Sequence, residues 1–194
     1  MITSSCITVH GDNGSGKSTL AKKLAKVLGY SHFSTGDFAR ELALQNGCTS
    51  ISDYMQRERE KDSQFDIDDV IDGQLKIELQ KKNIVIDSRL GYFFGKDSVK
   101  IYCILDPKTA AKWIFRGDKR RAENFQSIEQ LEIELKARQE KDRKAYLQKY
   151  NTDYTDSTQY DFVVFSFFYE NEQEKMLEKV IQEIEVLEKK KQFV

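Results

Sequence analysis

Short apolar, β-branched runs alternate along the chain with stretches whose apolar residues recur at helical spacing. Residues 2–9, containing Ile7-Thr8-Val9, predict a first strand, and 17–28 a first helix that Gly29 stops. His32-Phe33-Ser34 reads as a second strand running out into Thr35-Gly36-Asp37, with helical spacing resuming over Phe38–Gln45 until Asn46-Gly47 breaks it. Two further helices are predicted at about 50–60 and 67–81, the second opening on the acidic Asp66-Ile67-Asp68-Asp69. Asn83-Ile84-Val85-Ile86-Asp87 is a buried strand that ends on a carboxylate. Another strand covers Ser98–Leu105, and Asp106-Pro107 caps the helix after it. Ser127-Ile128-Glu129-Gln130 is a capping box for a long helix to about Lys149. Asp161–Phe167 reads as the last strand. From Asn171 onward, Met176, Leu177, Val180, Ile181, Ile184 and Leu187 mark an amphipathic closing helix.

Five strands alternating with helices imply an α/β fold in three layers, a central parallel sheet flanked by helices and joined by right-handed crossovers. There is no internal repeat and no Gly/Ser linker, so residues 1–194 read as a single domain. In such a sheet, ligands gather at the carboxyl ends of the strands. Three candidate stretches end there: Gly11–Ser18, Thr35-Gly36-Asp37 and Asp87-Ser88-Arg89.

The first stretch, Gly11-Asp12-Asn13-Gly14-Ser15-Gly16-Lys17-Ser18, reads G-x-x-x-x-G-K-[ST] between a strand and a helix, the context that a phosphate-cradling P-loop requires. Glycines let successive backbone N–H groups turn toward one anion, and the new helix adds the positive end of its dipole. Gly11, Asp12, Asn13, Gly14, Ser15, Gly16, Lys17, Ser18 and Thr19 are therefore the candidate nucleotide-phosphate residues, with Lys17 as a point charge and Ser18 as a Mg²⁺ ligand. Asp87 stands where a Walker-B carboxylate belongs and could hold the same ion through water; its bland alternative is a helix cap. Arg89 and Arg40 face the same mouth. Planar guanidinium groups suit capture of a phosphate, and two of them suggest a second anionic substrate beside the nucleotide donor.

Arg116, Lys119, Arg120 and Arg121 crowd a polar stretch, 116–123, that reads as a mobile loop. Arg138 and Arg143 lie on the long helix, offset by about 140°, so they do not share a face; both could serve transfer if that helix frames a closing lid. Asp68 and Asp72, at i and i+4, share a helix face and could accept from an exocyclic amino group or a ribose hydroxyl. Solvated surface acids are an equally good account of them.

Net charge is −1, with 31 Lys plus Arg against 32 Asp plus Glu, which argues against a broad nucleic-acid footprint. No run approaches membrane-spanning length, and neither a signal nor a transit segment is read. Cys6, Cys48 and Cys103 lack paired or metal-ligand spacing, which points to a reducing, cytoplasmic compartment. Neither an N-K-x-D guanine motif nor a D-x-x-G switch is present, which weighs against a GTPase.

The ordered set Gly11–Ser18, Ser34-Thr35-Gly36-Asp37-Phe38-Ala39-Arg40 and Ile86-Asp87-Ser88-Arg89-Leu90 resembles the nucleoside monophosphate kinases. The later part is similar to archaeal-type cytidylate kinases: Arg138, Arg143, Tyr146, Tyr150 and Asp153 fit R-x-x-x-x-R-x-x-Y-x-x-x-Y-x-x-D, and Tyr160–Val164 fits that family's last strand. The I-D-x-x-x-D spacing of Ile67, Asp68 and Asp72 fits as well. The resemblance implies a P-loop NTPase fold with an acceptor-binding insertion over 35–82 and a small lid over about 114–145. It implies ATP with Mg²⁺ as donor and CMP or dCMP as acceptor, with no nucleic-acid or membrane partner, in a monomer. It assigns acceptor binding to Thr35, Gly36, Asp37, Arg40, Asp68, Asp72 and Arg89, and catalytic charge stabilisation to Lys17, Arg89, Arg138 and Arg143. Ser88 departs from the family's glycine, and 116–126 is longer than its counterpart. Other expectations compatible with the residues are a kinase of AMP, UMP or a non-nucleotide metabolite, and a P-loop regulator that binds without turnover.

Overall fold

A computed structural model of the chain describes residues 2–117 and 125–192. Its sheet has five parallel strands: β1 (Cys6–Gly11), β2 (Ser31–Ser34), β3 (Ile84–Asp87), β4 (Val99–Ile104) and β5 (Phe162–Phe165), in the order β2-β3-β1-β4-β5. β1 is central and buried on both faces although its residues alternate: Ile7 and Val9 enter an apolar cluster, and Thr8 and His10 are buried on the opposite face. It pairs with β3 through Val9 opposite Asp87 and with β4 through Gly11 opposite Cys103. This register brings the three candidate stretches to one edge of the sheet.

One face of the sheet is covered by α1 (Lys17–Leu28) and the closing helix α8 (Gln173–Gln192). Leu20, Leu24, Met176, Val180 and Ile184 meet Ile7, Val9 and Ile101 there in one apolar cluster. The other face carries α4 (Ile67–Glu78), the short α5 (Gly91–Phe94) and the long α7 (Ile128–Tyr150). Leu75 packs with Ile84, Ile86 and Leu90, against the rings of Tyr146 and Tyr150. α2 (Thr35–Gln45) and α3 (Ile51–Lys61) join α4 in a small cluster of their own around Ala43, Tyr54 and Ile67, the 35–82 insertion. α6 (Pro107–Gly117) packs on α7 through Ala110, Ala111, Ile114, Leu131 and Leu135.

Several boundaries differ from expectation, each for a local reason. β1 begins at Cys6 rather than Ile2, because the Glu188 carboxylate of α8 accepts the N–H groups of Thr3 (2.9 Å) and Ser4 (2.7 Å) that would otherwise extend the strand. α2 begins at Thr35 rather than Phe38, since the Ser34 hydroxyl accepts the Asp37 N–H and caps the helix there. β5 ends at Phe165, and Ser166–Tyr169 turn into a 3₁₀ helix. α4 stops at Glu78, and Arg116 is the last turn of α6 rather than loop. The rest of the predicted loop, with Lys119, Arg120 and Arg121, lies outside the described residues. α5 has no counterpart in the sequence reading. The capping box forms with one change: Ser127 accepts from the Gln130 N–H, whereas Gln130 reaches the N–H of Gln126.

Beneath the glycine loop, His10 is fully enclosed by Tyr92, Tyr102, Tyr154 and Tyr160, with ring centroids 5.1–6.4 Å away, and neither ring nitrogen reaches a partner. Burial holds its pKa well below the ordinary value, helped by the Lys17 and Arg89 charges and opposed weakly by the Ser88 backbone. The unfolded chain takes up a proton at this residue below about pH 6.5, where the folded one does not, so stability falls as pH falls through that value. His10→Phe should flatten this slope between about pH 5.5 and 7. A smaller slope should remain from His32, which burial also lowers. Urea midpoints across that range check it; an unchanged slope would show that His10 does not couple folding to protons.

Candidate active site

The glycine loop closes as its composition requires. Gly14 and Gly16 hold φ of 81° and 78°, a left-handed conformation that costs a side-chain-bearing residue energy, and Gly16 caps α1. Ser15 is buried, and its N–H donates to the Asp12 carbonyl at 3.2 Å. Lys17 Nζ folds back to donate to that same carbonyl at 3.3 Å. Asn13, Gly14, Gly16, Lys17, Ser18 and Thr19 line a space of about 460 Å³ beside the loop, closed on the far side by Trp113 and Ile114 of α6. Of the loop residues Gly11, Asp12 and Ser15 do not line this space, and Asp12 has a role of its own. Its carboxylate faces away, accepting from Tyr102 Oη (3.0 Å), Leu105 N (2.9 Å) and Gln139 Nε2 (3.1 Å). The Asp12 side chain thus fastens the loop to β4 and α7.

On the other side of Lys17 opens a cleft of about 300 Å³. Lys17, Ser18, Thr35, Gly36, Arg40, Asp87 and Arg89 line it with Asp68 and Asp72 of α4. Along α7, Gln139 touches the glycine loop, Asp142 pairs with Arg89 and Tyr150 reaches Asp72, so the α4 carboxylates lie beyond Arg89 from the loop. Arg138 and Tyr146 of α7 reach in from above. Candidates from five separate stretches thus converge on one cavity, with its cations toward the glycine loop and two carboxylates remote from it. Two candidates stand apart. Asp37 is turned to Lys22 and Arg40 on the helix surface. Arg143 is held by Asp153, 2.7 Å away, and does not line the cleft. The expected divergence of Arg138 and Arg143 is thus what α7 shows, and in this conformation Arg138 alone of the two faces the cleft.

The electrostatics follow from burial and neighbours. Burial pushes the Lys17 pKa down, and Asp87 pulls part of that back. Arg89, which burial alone would make less basic, ends above its ordinary value through Tyr146 and Asp142. Burial raises Asp68, and the nearby Asp66 adds to it. Asp72 is also raised by burial, partly offset by the hydrogen bond it accepts from the Tyr150 hydroxyl. The residues missed in the sequence are those on α7 that touch these groups: Gln139, Asp142 and Lys149, the last ion-paired to Asp66 and to Asp69 at 2.8 Å. Their spacing of three to four residues is the one signal that could have grouped them with Tyr146 and Tyr150.

A glycine loop between strand and helix, a carboxylate closing the neighbouring strand, and arginines around the cleft between them define a P-loop kinase, a phosphotransferase. The sequence family described as an AAA domain matches residues 11–100. The cytidylate kinase of Haloarcula marismortui is 34% identical over 160 residues, covering 81% of this chain and 79% of that protein. That of Thermoplasma volcanium is 31% identical over 193 residues, covering 96% and 95%. The chain belongs to the cytidylate kinase family. Among solved structures, a shikimate kinase from Bacteroides thetaiotaomicron shares the fold, with a TM-score of 0.61 at 13% identity over 94% of this chain and 99% of that one. Among the described residues no helix is long and apolar enough to cross a membrane.

Proposed function

We propose that the protein transfers the γ-phosphoryl group of ATP to a pyrimidine nucleoside monophosphate, CMP or dCMP, releasing ADP and the diphosphate. The observation that carries this reading is the polarity of the 300 Å³ cleft, cationic beside Lys17 and carboxylate-lined at Asp68 and Asp72. A nucleoside monophosphate has the matching polarity: an anionic phosphate at one end, and hydroxyls and an exocyclic amino group at the other. Its phosphate would lie against Arg40 and Arg89, bringing one oxygen to the γ-phosphorus. The bond to the bridging oxygen breaks as the new P–O bond forms. Lys17 and Arg138 offset charge on the transferring group, and such transfers run on positioning and charge stabilisation. Ser18 and Asp87, on one wall of the cleft, suit Mg²⁺ held by a hydroxyl, a carboxylate through water, and the nucleotide phosphates. When bound, such an ion would supply positive charge to offset that of the phosphates.

The test is coupled ADP release with ATP and Mg²⁺ against CMP, dCMP, UMP, AMP and GMP separately, with a no-acceptor control. CMP or dCMP should dominate. A different preferred monophosphate would discard the base assignment, and silence with all five in protein that binds ATP would discard the reading. The buried lysine adds a pH prediction. In the free enzyme Lys17 loses its proton below the ordinary lysine value, so kcat/KM for ATP should fall on the alkaline side before ordinary lysines titrate. An alkaline limb no earlier than that of exposed lysines would remove Lys17 from this role.

A further inference from the structure

One stripe of α7 touches each part of the site in turn. Gln139 donates to Asp12 in the glycine loop at 3.1 Å, Asp142 pairs with Arg89 at 2.6 Å, Tyr146 stands with Arg89 in the cleft lining, and Tyr150 donates to Asp72. Residues 139, 142, 146 and 150 follow one another at spacings of three, four and four, so one helix face carries all four. The Arg89 contacts are the most consequential. Arg89 projects from the loop after β3 and has three rotatable bonds beyond Cβ, and nothing in its own loop would fix so long a side chain. Asp142 Oδ2 is buried and does not line the cleft, although Arg89 and Tyr146 do. The carboxylate therefore reaches Arg89 Nη1 from outside the cleft lining, and the same oxygen stands 3.9 Å from Arg138 Nε.

We propose that Asp142 and Tyr146 are positioning residues: they clamp Arg89 from α7 and aim its guanidinium at the acceptor's phosphate. This rests on the acceptor assignment proposed above. A planar guanidinium binds a phosphate bidentately only in a narrow range of orientations, so an Arg89 fixed beforehand spends less entropy on binding. The clamp also makes α7 sensitive to the acceptor, since the helix and the phosphate share one side chain.

The experiment has two arms. The first needs no acceptor: the Arg89 Nη1–H resonance of the full chain, assigned by its loss in Arg89→Lys, is compared with that of Asp142→Asn. Faster solvent exchange of this proton in Asp142→Asn is expected; unchanged exchange overturns the clamp. The second compares binding of CMP, of cytidine and of ATP by calorimetry. Asp142→Asn should weaken CMP about tenfold, the effect of losing a close, partly buried ion pair, and leave cytidine and ATP unchanged. Asp142→Glu should recover part of the loss, and Tyr146→Phe should show a smaller one. Equal weakening of all three ligands would mean a structural role for Asp142. Tighter CMP binding would mean that Asp142 competes with the phosphate rather than aiming its partner. If CMP fails to bind the parent protein while Arg89 exchange still responds to Asp142→Asn, the acceptor assignment falls and the clamp stands.

Discussion

Lys17→Ala is expected to lower turnover about 10²–10³-fold, the cost of removing one preorganised donor from a transferring charge. Lys17 lines both the space beside the glycine loop and the cleft, so on the proposed reading its ammonium stands where charge moves during transfer. It is desolvated, which makes its interaction with phosphate oxygens stronger than that of a surface lysine, and Asp87 keeps it charged. Backbone N–H groups of the glycine loop remain in the variant, so ATP affinity should fall much less than kcat. The side chain belongs to none of the apolar clusters, so thermal unfolding should shift little. Steady-state kinetics with CMP, read beside a melting curve, separate these effects. A fall in ATP affinity that accounts for the whole loss would make Lys17 a binding residue and no more.

The architecture was legible because each element declares itself locally. β1 and β3 are apolar runs bounded by glycine or asparagine, and α1 and α8 bury one face with a period that the chain shows directly. The glycine loop was legible for a stronger reason: positive φ at Gly14 and Gly16 is a constraint that only the local residue satisfies. Boundaries were harder where a side chain serves two elements. Ser34 ends β2 and caps α2, so the helix swallows the Thr35-Gly36-Asp37 that reads as loop. α5, a single turn after Arg89, is too short to carry a period.

The site was legible only in part. Lys17, Arg40, Asp68, Asp72, Asp87 and Arg89 meet in one cleft because strand ends share an edge, a rule that needs only the element order. The α7 contacts obey no such rule. Asp142 lies far along the chain from Arg89, and on a helix with so many charges it looks like one more solvated acid. The fastening role of Asp12 was equally hidden: a P-loop cradles phosphate with backbone N–H groups, which says nothing of a side chain that binds Tyr102 and Gln139.

Gly11→Ala should be the most destabilising single-methyl addition in the glycine loop. A Cβ on Gly11 would lie 2.6 Å from the Cys103 carbonyl oxygen, 2.7 Å from Cys103 Cβ and 2.8 Å from Ser15 Oγ. Two of these neighbours belong to the paired strand β4, in the middle of the sheet, where no flexible side chain can yield. The strands must separate or the loop must shift, and overpacking of this kind costs about 1–3 kcal/mol or more. For a domain of this size that is a fall of roughly 2–12 °C in melting temperature. The same strain falls on the Asp12 N–H, which donates to the Cys103 carbonyl at 3.0 Å and sets the height of the loop above the sheet. ATP affinity should therefore drop with stability, although no group that touches phosphate has been removed. Gly29→Ala is the control: its φ, unlike that of Gly11, is left-handed, at 68°, but open space surrounds it, so only the backbone penalty of about 1 kcal/mol applies and ATP binding should be untouched. Melting curves and ATP titrations on both variants decide the matter. Equal destabilisation by the two would mean that the close approach of β1 and β4 at Gly11 relaxes at no cost, and that glycine is needed there for another reason.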